Sequence, residues 1–169
     1  LLRQILKRPG AKALPDLLGE AIIGFRGEVL EISLDGRVQR RVMIGGDLEG
    51  VVVDPAGRRA VVIEEGGGTL IELDAASLAE IRRWNAPIAK GARGRHGYEG
   101  VDLIDAGGEI VLLHQQNPAA LVRLSTADPG SAATLALDGG PLSDLRVAPD
   151  GRSFLVLARG AGLRLFGPA

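Results

Sequence analysis

Asp47-Leu48-Glu49-Gly50-Val51-Val52-Val53-Asp54-Pro55 joins an acidic start, a glycine, an apolar run and an Asp-Pro turn. The pattern returns at Tyr98-Glu99-Gly100-Val101-Asp102-Leu103-Ile104-Asp105. It returns in degenerate form at Leu142-Ser143-Asp144-Leu145-Arg146-Val147-Ala148-Pro149-Asp150. The copies lie 50 residues apart (Glu49 to Glu99) and then 44 (Glu99 to Ser143). A period in that range, with several short strands per unit, is the signature of propeller blades.

Working outward, the first copy runs into the turn Asp54-Pro55-Ala56-Gly57, where the fixed φ of proline helps. A strand at Ala60–Glu64, the reversal Gly66-Gly67-Gly68 and a strand at Thr69–Asp74 follow. Leu78–Trp84 is read as the fourth strand, although Ala75–Arg83 also has helical propensity. Ala86–Gly97 is a long loop rich in Gly, Arg and Lys.

The second unit repeats the order: Gly100–Ile104, the turn Asp105-Ala106-Gly107-Gly108, Glu109–His114, the turn Gln115-Gln116-Asn117-Pro118, Ala120–Leu124 and Ala133–Leu137. The third begins at Leu142, turns at Pro149-Asp150-Gly151 and continues through Ser153–Ala158 and Leu163–Phe166. Upstream, Ala21–Phe25 is a short apolar run, and Glu28–Leu34 alternates as a half-buried strand does. Asp35-Gly36 is a preferred hairpin turn, and Arg37–Ile44 returns. These read as the last three strands of a preceding blade.

The expected fold is all-β. It is a propeller-like stack of four-stranded antiparallel blades, about three and a half of them and fourteen strands in all, over residues 28–169. Residues 1–27 are expected to form an extension, partly helical or disordered, with a candidate first strand at 21–25. Rings close with roughly four to eight blades. Either strands lie outside this sequence, or two copies complete one ring, or the stack is open. Open edges invite pairing between chains, so a homodimer through open blade edges is expected.

Composition sets limits. The 169 residues suffice for one domain with a sizeable core. The 25 glycines and 9 prolines fall mostly between apolar runs and read as turns. A net charge of −1 argues against a nucleic-acid surface. Without cysteine there is no disulfide framework and no thiolate metal site. No stretch approaches the roughly 18 apolar residues of a membrane span. Leu1–Arg8 reads as a short basic helix stopped by Pro9-Gly10. Arg3, Lys7, Arg8 and Lys12 break up Leu1–Leu18, which is therefore not read as a signal peptide. Beginning at Leu1 rather than Met, the sequence reads as a processed product or a fragment.

Chemistry is sought where inner strands meet a central channel. Glu49 and Glu99 open the first strands of two blades and, if the blades are equivalent, project toward one region. Glu64 and Glu65 end the adjacent second strand. Clustered carboxylates suit calcium, which takes six to eight oxygens. Alternatively, each glutamate satisfies backbone N–H groups of a neighbouring blade. Glu49, Glu64 and Glu99 are the candidate metal ligands, and these three with His114 the candidate ligand contacts. His96 lies in the basic loop. The two histidines form no HExxH-like pair, and no serine sits in a GxSxG elbow. Gly66-Gly67-Gly68 lacks the Lys-Ser or Lys-Thr of a P-loop. No catalytic residue is assigned. Lys90, Arg93 and Arg95 form a basic cluster, either solvated or suited to an anion, and Trp84 and Tyr98 are expected to anchor its loop.

Leu48-Glu49-Gly50-Val51 with Val62-Ile63-Glu64-Glu65 and Leu70-Ile71-Glu72-Leu73-Asp74 resembles one blade of the SdiA-regulated domain family. Tyr98-Glu99-Gly100-Val101 followed by Asn117-Pro118-Ala119-Ala120-Leu121 resembles another. Leu142-Ser143-Asp144-Leu145 with Phe154-Leu155-Val156-Leu157 is similar to a third. The resemblance covers about residues 28–166. It implies a six-bladed propeller of bacterial origin, exported to the periplasm or cell surface. This chain is shorter than six blades. It has Gln115 where the family typically carries an acid before Asn-Pro, and Ala158-Arg159-Gly160 where Asp or Glu is usual. The expected function is a binding module of that kind, meeting a ligand or protein at the channel mouth, and more a binder than an enzyme. The alternative is a calcium-dependent hydrolase of the phytase-like or lactonase-like propeller kind.

Overall fold

In the computed structural model the chain forms four antiparallel sheets and no helix among the described residues. The structure describes residues 20–25 as backbone, and 27–33, 35–94, 97–104, 108–138, 141–160 and 162–167 in full. The expected helix at Leu1–Arg8, the loop residues Arg95 and His96, and the turn residues Asp105, Ala106 and Gly107 lie outside these. Among the described residues no helix is long and apolar enough to cross a membrane.

The first sheet holds β1 (Glu20–Phe25), β2 (Glu28–Ser33) and β3 (Val38–Met43). The second holds β4 (Leu48–Val53), β5 (Arg59–Glu64), β6 (Thr69–Asp74) and β7 (Glu80–Asn85). The third holds β8 (Tyr98–Ile104), β9 (Glu109–His114), β10 (Ala120–Ser125) and β11 (Ala132–Ala136). The fourth holds β12 (Leu142–Val147), β13 (Phe154–Ala158) and β14 (Gly162–Phe166). Within each sheet the strands pair in sequence order, as in a propeller blade. β1, which covers the candidate strand at 21–25, pairs with β2 along its whole length.

The segment after β6 shows why strand wins over helix. The Asp74 carboxylate accepts from Ser77 N and Ser77 Oγ at 2.7 and 2.6 Å, and Leu78 N donates to Asp74 O at 2.7 Å. Leu78 then takes a left-handed φ of 58° and buries its side chain. The turn consumes Leu78, and the fourth strand starts at Glu80.

Blade equivalence is visible in the backbone. Ile44, Ala86 and Leu137, just after the fourth strands, donate to Gly27, Gly68 and Ala119 at 2.8, 2.7 and 2.9 Å. Glu65, Gln115 and Arg159, just after the second strands, donate to Asp47, Gly97 and Pro141, each at 2.8 Å. These bonds make Glu65, Gln115 and Arg159 one position in three blades. They also identify the first sheet as strands two to four of its blade.

Three apolar clusters fill the spaces between sheets. Val29 meets Ala60, Val62, Ile71 and Leu73. Val52, Val61, Ile63 and Leu70 meet Val101, Leu112, Val122 and Leu124. Val111, Leu113 and Leu121 meet Leu142, Leu145 and Val156. Alternation along each strand puts one set of residues toward the preceding blade and the other toward the following one.

The inner strands β4, β8 and β12 pack side by side. A Cβ on Gly50 would stand 3.0 Å from Val101 N and 3.1 Å from Gly100 Cα. One on Gly100 would stand 3.2 Å from Leu145 N. Asp102 fastens the last step: its Oδ1 accepts from Leu103 N at 2.9 Å and its Oδ2 from Val147 N of the next blade at 2.8 Å.

Gly50→Ala is expected to destabilise the chain by about 1–3 kcal/mol, the cost of overpacking a closed core. Urea unfolding reads this as a lower midpoint. An unchanged midpoint would mean that the inner strands separate at no cost.

Candidate functional site

Each inner strand carries one extra residue near its start. Leu48 pairs with Glu64 and Gly50 with Ile63. Tyr98 pairs with His114 and Gly100 with Leu113, and Leu142 pairs with Ala158 and Asp144 with Leu157. The bulged residues are Glu49, Glu99 and Ser143. A bulge re-aims its side chain and ends regular pairing, so both glutamates leave the sheets at the same end of the stack.

Glu99 is 6 % exposed and fully engaged. Its Oε1 accepts from Gln115 Nε2, and its Oε2 from Arg159 Nη2 at 3.1 Å. Burial raises its pKa above the ordinary carboxylate value, and the Arg159 charge opposes that rise. Gln115 follows the second strand of the third blade and Arg159 that of the fourth. Both donate to Glu99.

Glu49 has different company. It makes no hydrogen bond or ion pair among the described residues. Asp47, Glu49 and Glu65 each bring a carboxylate oxygen within 4.8 Å of the other two. Partial loss of water, then the charges of Glu99, Asp47 and Glu65, raise the Glu49 pKa, with Arg159 opposing. Glu65 occupies the position held by Gln115 and Arg159 in the later blades, so here the glutamate faces an acid instead of a donor.

The expected metal set Glu49, Glu64 and Glu99 does not assemble. Glu64 Oε2 accepts from Gly67 N at 2.8 Å and caps the glycine turn. Glu99 is held by Gln115 and Arg159. The carboxylates that do converge are Asp47, Glu49 and Glu65. Asp47 lies just before β4, outside the strand-end positions that the repeat singles out, and it meets Glu65 only in the folded blade.

His114 ends β9 and is buried. Its Nδ1 donates to the Pro118 carbonyl at 2.7 Å, and its ring stands edge-on to Tyr98 at 5.3 Å and 80°. The Tyr98 hydroxyl donates to the Pro87 carbonyl, anchoring the long loop as expected. Trp84 and Ala92 both pack against the core between the second and third blades, and the Arg82 guanidinium lies 4.5 Å from the centroid of the Trp84 ring. A cavity of about 610 Å³ opens here, walled by Glu65, Arg93, Gly97, His114, Gln115 and Asn117. Glu65 thus belongs both to the carboxylate group and to the cavity wall. Among the described residues of the expected loop cluster, Arg93 lines the cavity.

A carboxyl whose folded pKa lies above its unfolded value binds protons more tightly in the native state. Stability is therefore lost as pH rises from the unfolded value through the raised one. Glu49→Gln removes that loss. The variant is expected to melt with the wild type below about pH 4 and above it near neutral pH. A variant that melts lower than wild type at neutral pH would contradict this account of Glu49.

No protein-family model matches the chain, and no curated protein matches it. Among solved structures it is similar to the Kuenenia stuttgartiensis Hydrazine Synthase, with a TM-score of 0.67 at 13% identity. The match covers 95% of this chain and 49% of that one, so the chain spans about half the length of the structure it matches. Since 874 solved chains match, a likeness at this identity shows the fold alone: an all-β stack of propeller-like blades.

Proposed function

We propose that this chain is a non-catalytic propeller-type binding module that takes a cation, or a ligand bearing one, at the acid-lined mouth of its inner strands. The observation that carries this reading is the convergence of Asp47, Glu49 and Glu65 within 4.8 Å beside the cavity. Three carboxylates held together repel one another, and a bound cation relieves that repulsion. The hydroxyls of Ser33, Ser77 and Ser153 support a non-catalytic role: each is bonded to a carboxylate of its own strand-linking turn. The resemblance to the SdiA-regulated domain family fits a binding module, and with it a bacterial, exported setting. Open blade edges support self-association of the chain.

A second reading is favoured by the same three carboxylates. Calcium held by Asp47, Glu49 and Glu65 would polarise a phosphoryl or carbonyl oxygen at the cavity and activate water. That is the hydrolase alternative. It needs an open coordination position facing the cavity, which Glu65 borders.

Calorimetric titration with calcium separates these readings from a purely structural role. Binding is expected in the roughly 10⁻⁴–10⁻³ M class of extracellular calcium modules, and Glu65→Gln is expected to weaken it at least tenfold. Equal binding by wild type and Glu65→Gln, or none by wild type to calcium or to a diamine, would overturn the site. Calcium-dependent turnover of a phosphate ester or a lactone, lost in Glu65→Gln, would replace the binding module with the hydrolase.

A further inference from the structure

The cavity beside the carboxylates carries a charge of each sign on its wall. Its volume of about 610 Å³ lies in the range of small-molecule sites. Glu65 and Arg93 both line it, yet they form no ion pair with each other. Among the described residues neither side chain has a hydrogen bond or ion pair with any other group. The buried glutamates of the stack are different: Glu31 pairs with Arg40, Glu72 with Arg59 and Arg82, and Glu99 with Arg159. An uncommitted acid and an uncommitted base therefore face one cavity.

Gln115 supplies an independent observation. Its side chain is only 9% exposed and lines the same cavity. Its Nε2 donates to Glu99, and a carboxylate accepts but does not donate, so the orientation of the amide is fixed. The Oε1 atom is left with no donor among the described residues. It is not sealed in the core, as Asp54 Oδ2 and Trp84 Nε1 are, so it opens to the cavity. Buried polar atoms ordinarily have a partner, and this one calls for an N–H or O–H from whatever fills the space. Glu65 and Gln115 hold the same position in adjacent blades. A carboxylate and an amide oxygen are thus offered together where the second and third blades meet. An ammonium, with three N–H donors, suits both acceptors. Asp47 and Glu49 beside Glu65 add to the negative potential that would draw it in. The Arg93 guanidinium suits a carboxylate, which it can hold through two parallel N–H bonds.

We propose that this cavity takes a small zwitterion of the amino-acid kind, with its ammonium held by Glu65 and the Gln115 oxygen and its carboxylate by Arg93. This rests on the cation-binding reading given above and names the class of ligand that bears the cation. Gln116 and Asn117 on the same wall are polar and uncharged, so they leave the two charged ends to fix the ligand's direction. The span from Glu65 to Arg93 sets the distance between the ligand's charges. Calcium and the ammonium compete for Glu65.

Calorimetric titration with a ladder of ω-amino acids, from glycine through γ-aminobutyrate to ε-aminocaproate, tests this without calcium present. One length is expected to bind best. The alkylamine of that length, which lacks the carboxylate, is expected to bind about tenfold or more weakly, as loss of a charged hydrogen bond requires. Arg93→Gln, at an exposed loop position, is expected to bring the amino acid down to the alkylamine and to leave the alkylamine unchanged. Glu65→Gln is expected to weaken both. No binding by any member of the ladder, equal binding of amino acid and alkylamine, or an amino-acid affinity that Arg93→Gln leaves unaltered would overturn the proposal. Calcium binding that depends on Glu65 would in each of those cases leave the cation reading standing. Loss of calcium, diamine and ω-amino-acid binding together would overturn both.

Discussion

The stack depends on how closely its inner strands approach. At Gly50 and Gly100 there is no room for a Cβ between one inner strand and the next. This contact lets the apolar faces of adjoining blades close on each other, because any wider spacing would open voids along Val52, Val61, Ile63 and Leu70 and their partners. The bond from Val147 N to Asp102 Oδ2 lies beside the same contact and leaves that buried donor satisfied. Burial between blades, more than pairing within them, makes one body of four small sheets. A lone three- or four-stranded sheet has two faces to cover and nothing of its own to cover them with.

The bulge next to each glycine links packing to chemistry. It adds one residue to the inner strand and sends that residue out at the mouth of the stack. The residue it meets comes from the end of the second strand, where the three blades carry Glu65, Gln115 and Arg159. The same backbone device therefore has different electrostatic outcomes. Glu99 receives an amide from its own blade and a guanidinium from the next. Glu49 receives Asp47 and Glu65. One glutamate is built into the structure, and the other stays chemically available.

Charge exchange between repeats recurs at a second position. Glu72 is buried and paired with Arg59 and Arg82. In the third blade the corresponding residue is Arg123, paired with Glu109, which corresponds to Arg59. The polarity reverses while the pair persists. Glu72 is buried in its pair, whereas Arg123 and Glu109 lie toward solvent, where either sign is tolerated on either side. In the first blade Glu31 takes the same place and pairs with Arg40. The fourth blade abandons the charge altogether at Leu165. Its packing therefore differs from that of the inner blades.

The sequence by itself determined the strands and their grouping. Runs of alternating or continuous apolar residues, Asp-Pro and Asp-Gly turns and a repeat of about fifty residues act through local geometry and one-dimensional spacing. So the fourteen strands, their grouping by three, four, four and three, and the return of Glu49 at Glu99 were legible before any coordinates. Which carboxylates meet was not. Glu64 and Glu65 are neighbours in sequence, yet one caps a turn and the other faces the mouth, because adjacent residues at a strand end point to opposite sides. The partnering of Glu99 with Arg159 spans sixty residues and exists only because the third and fourth blades stack. Only tertiary structure brings residues from different blades together, and the sign of the charge waiting at each mouth position decides which glutamate is spent and which is left.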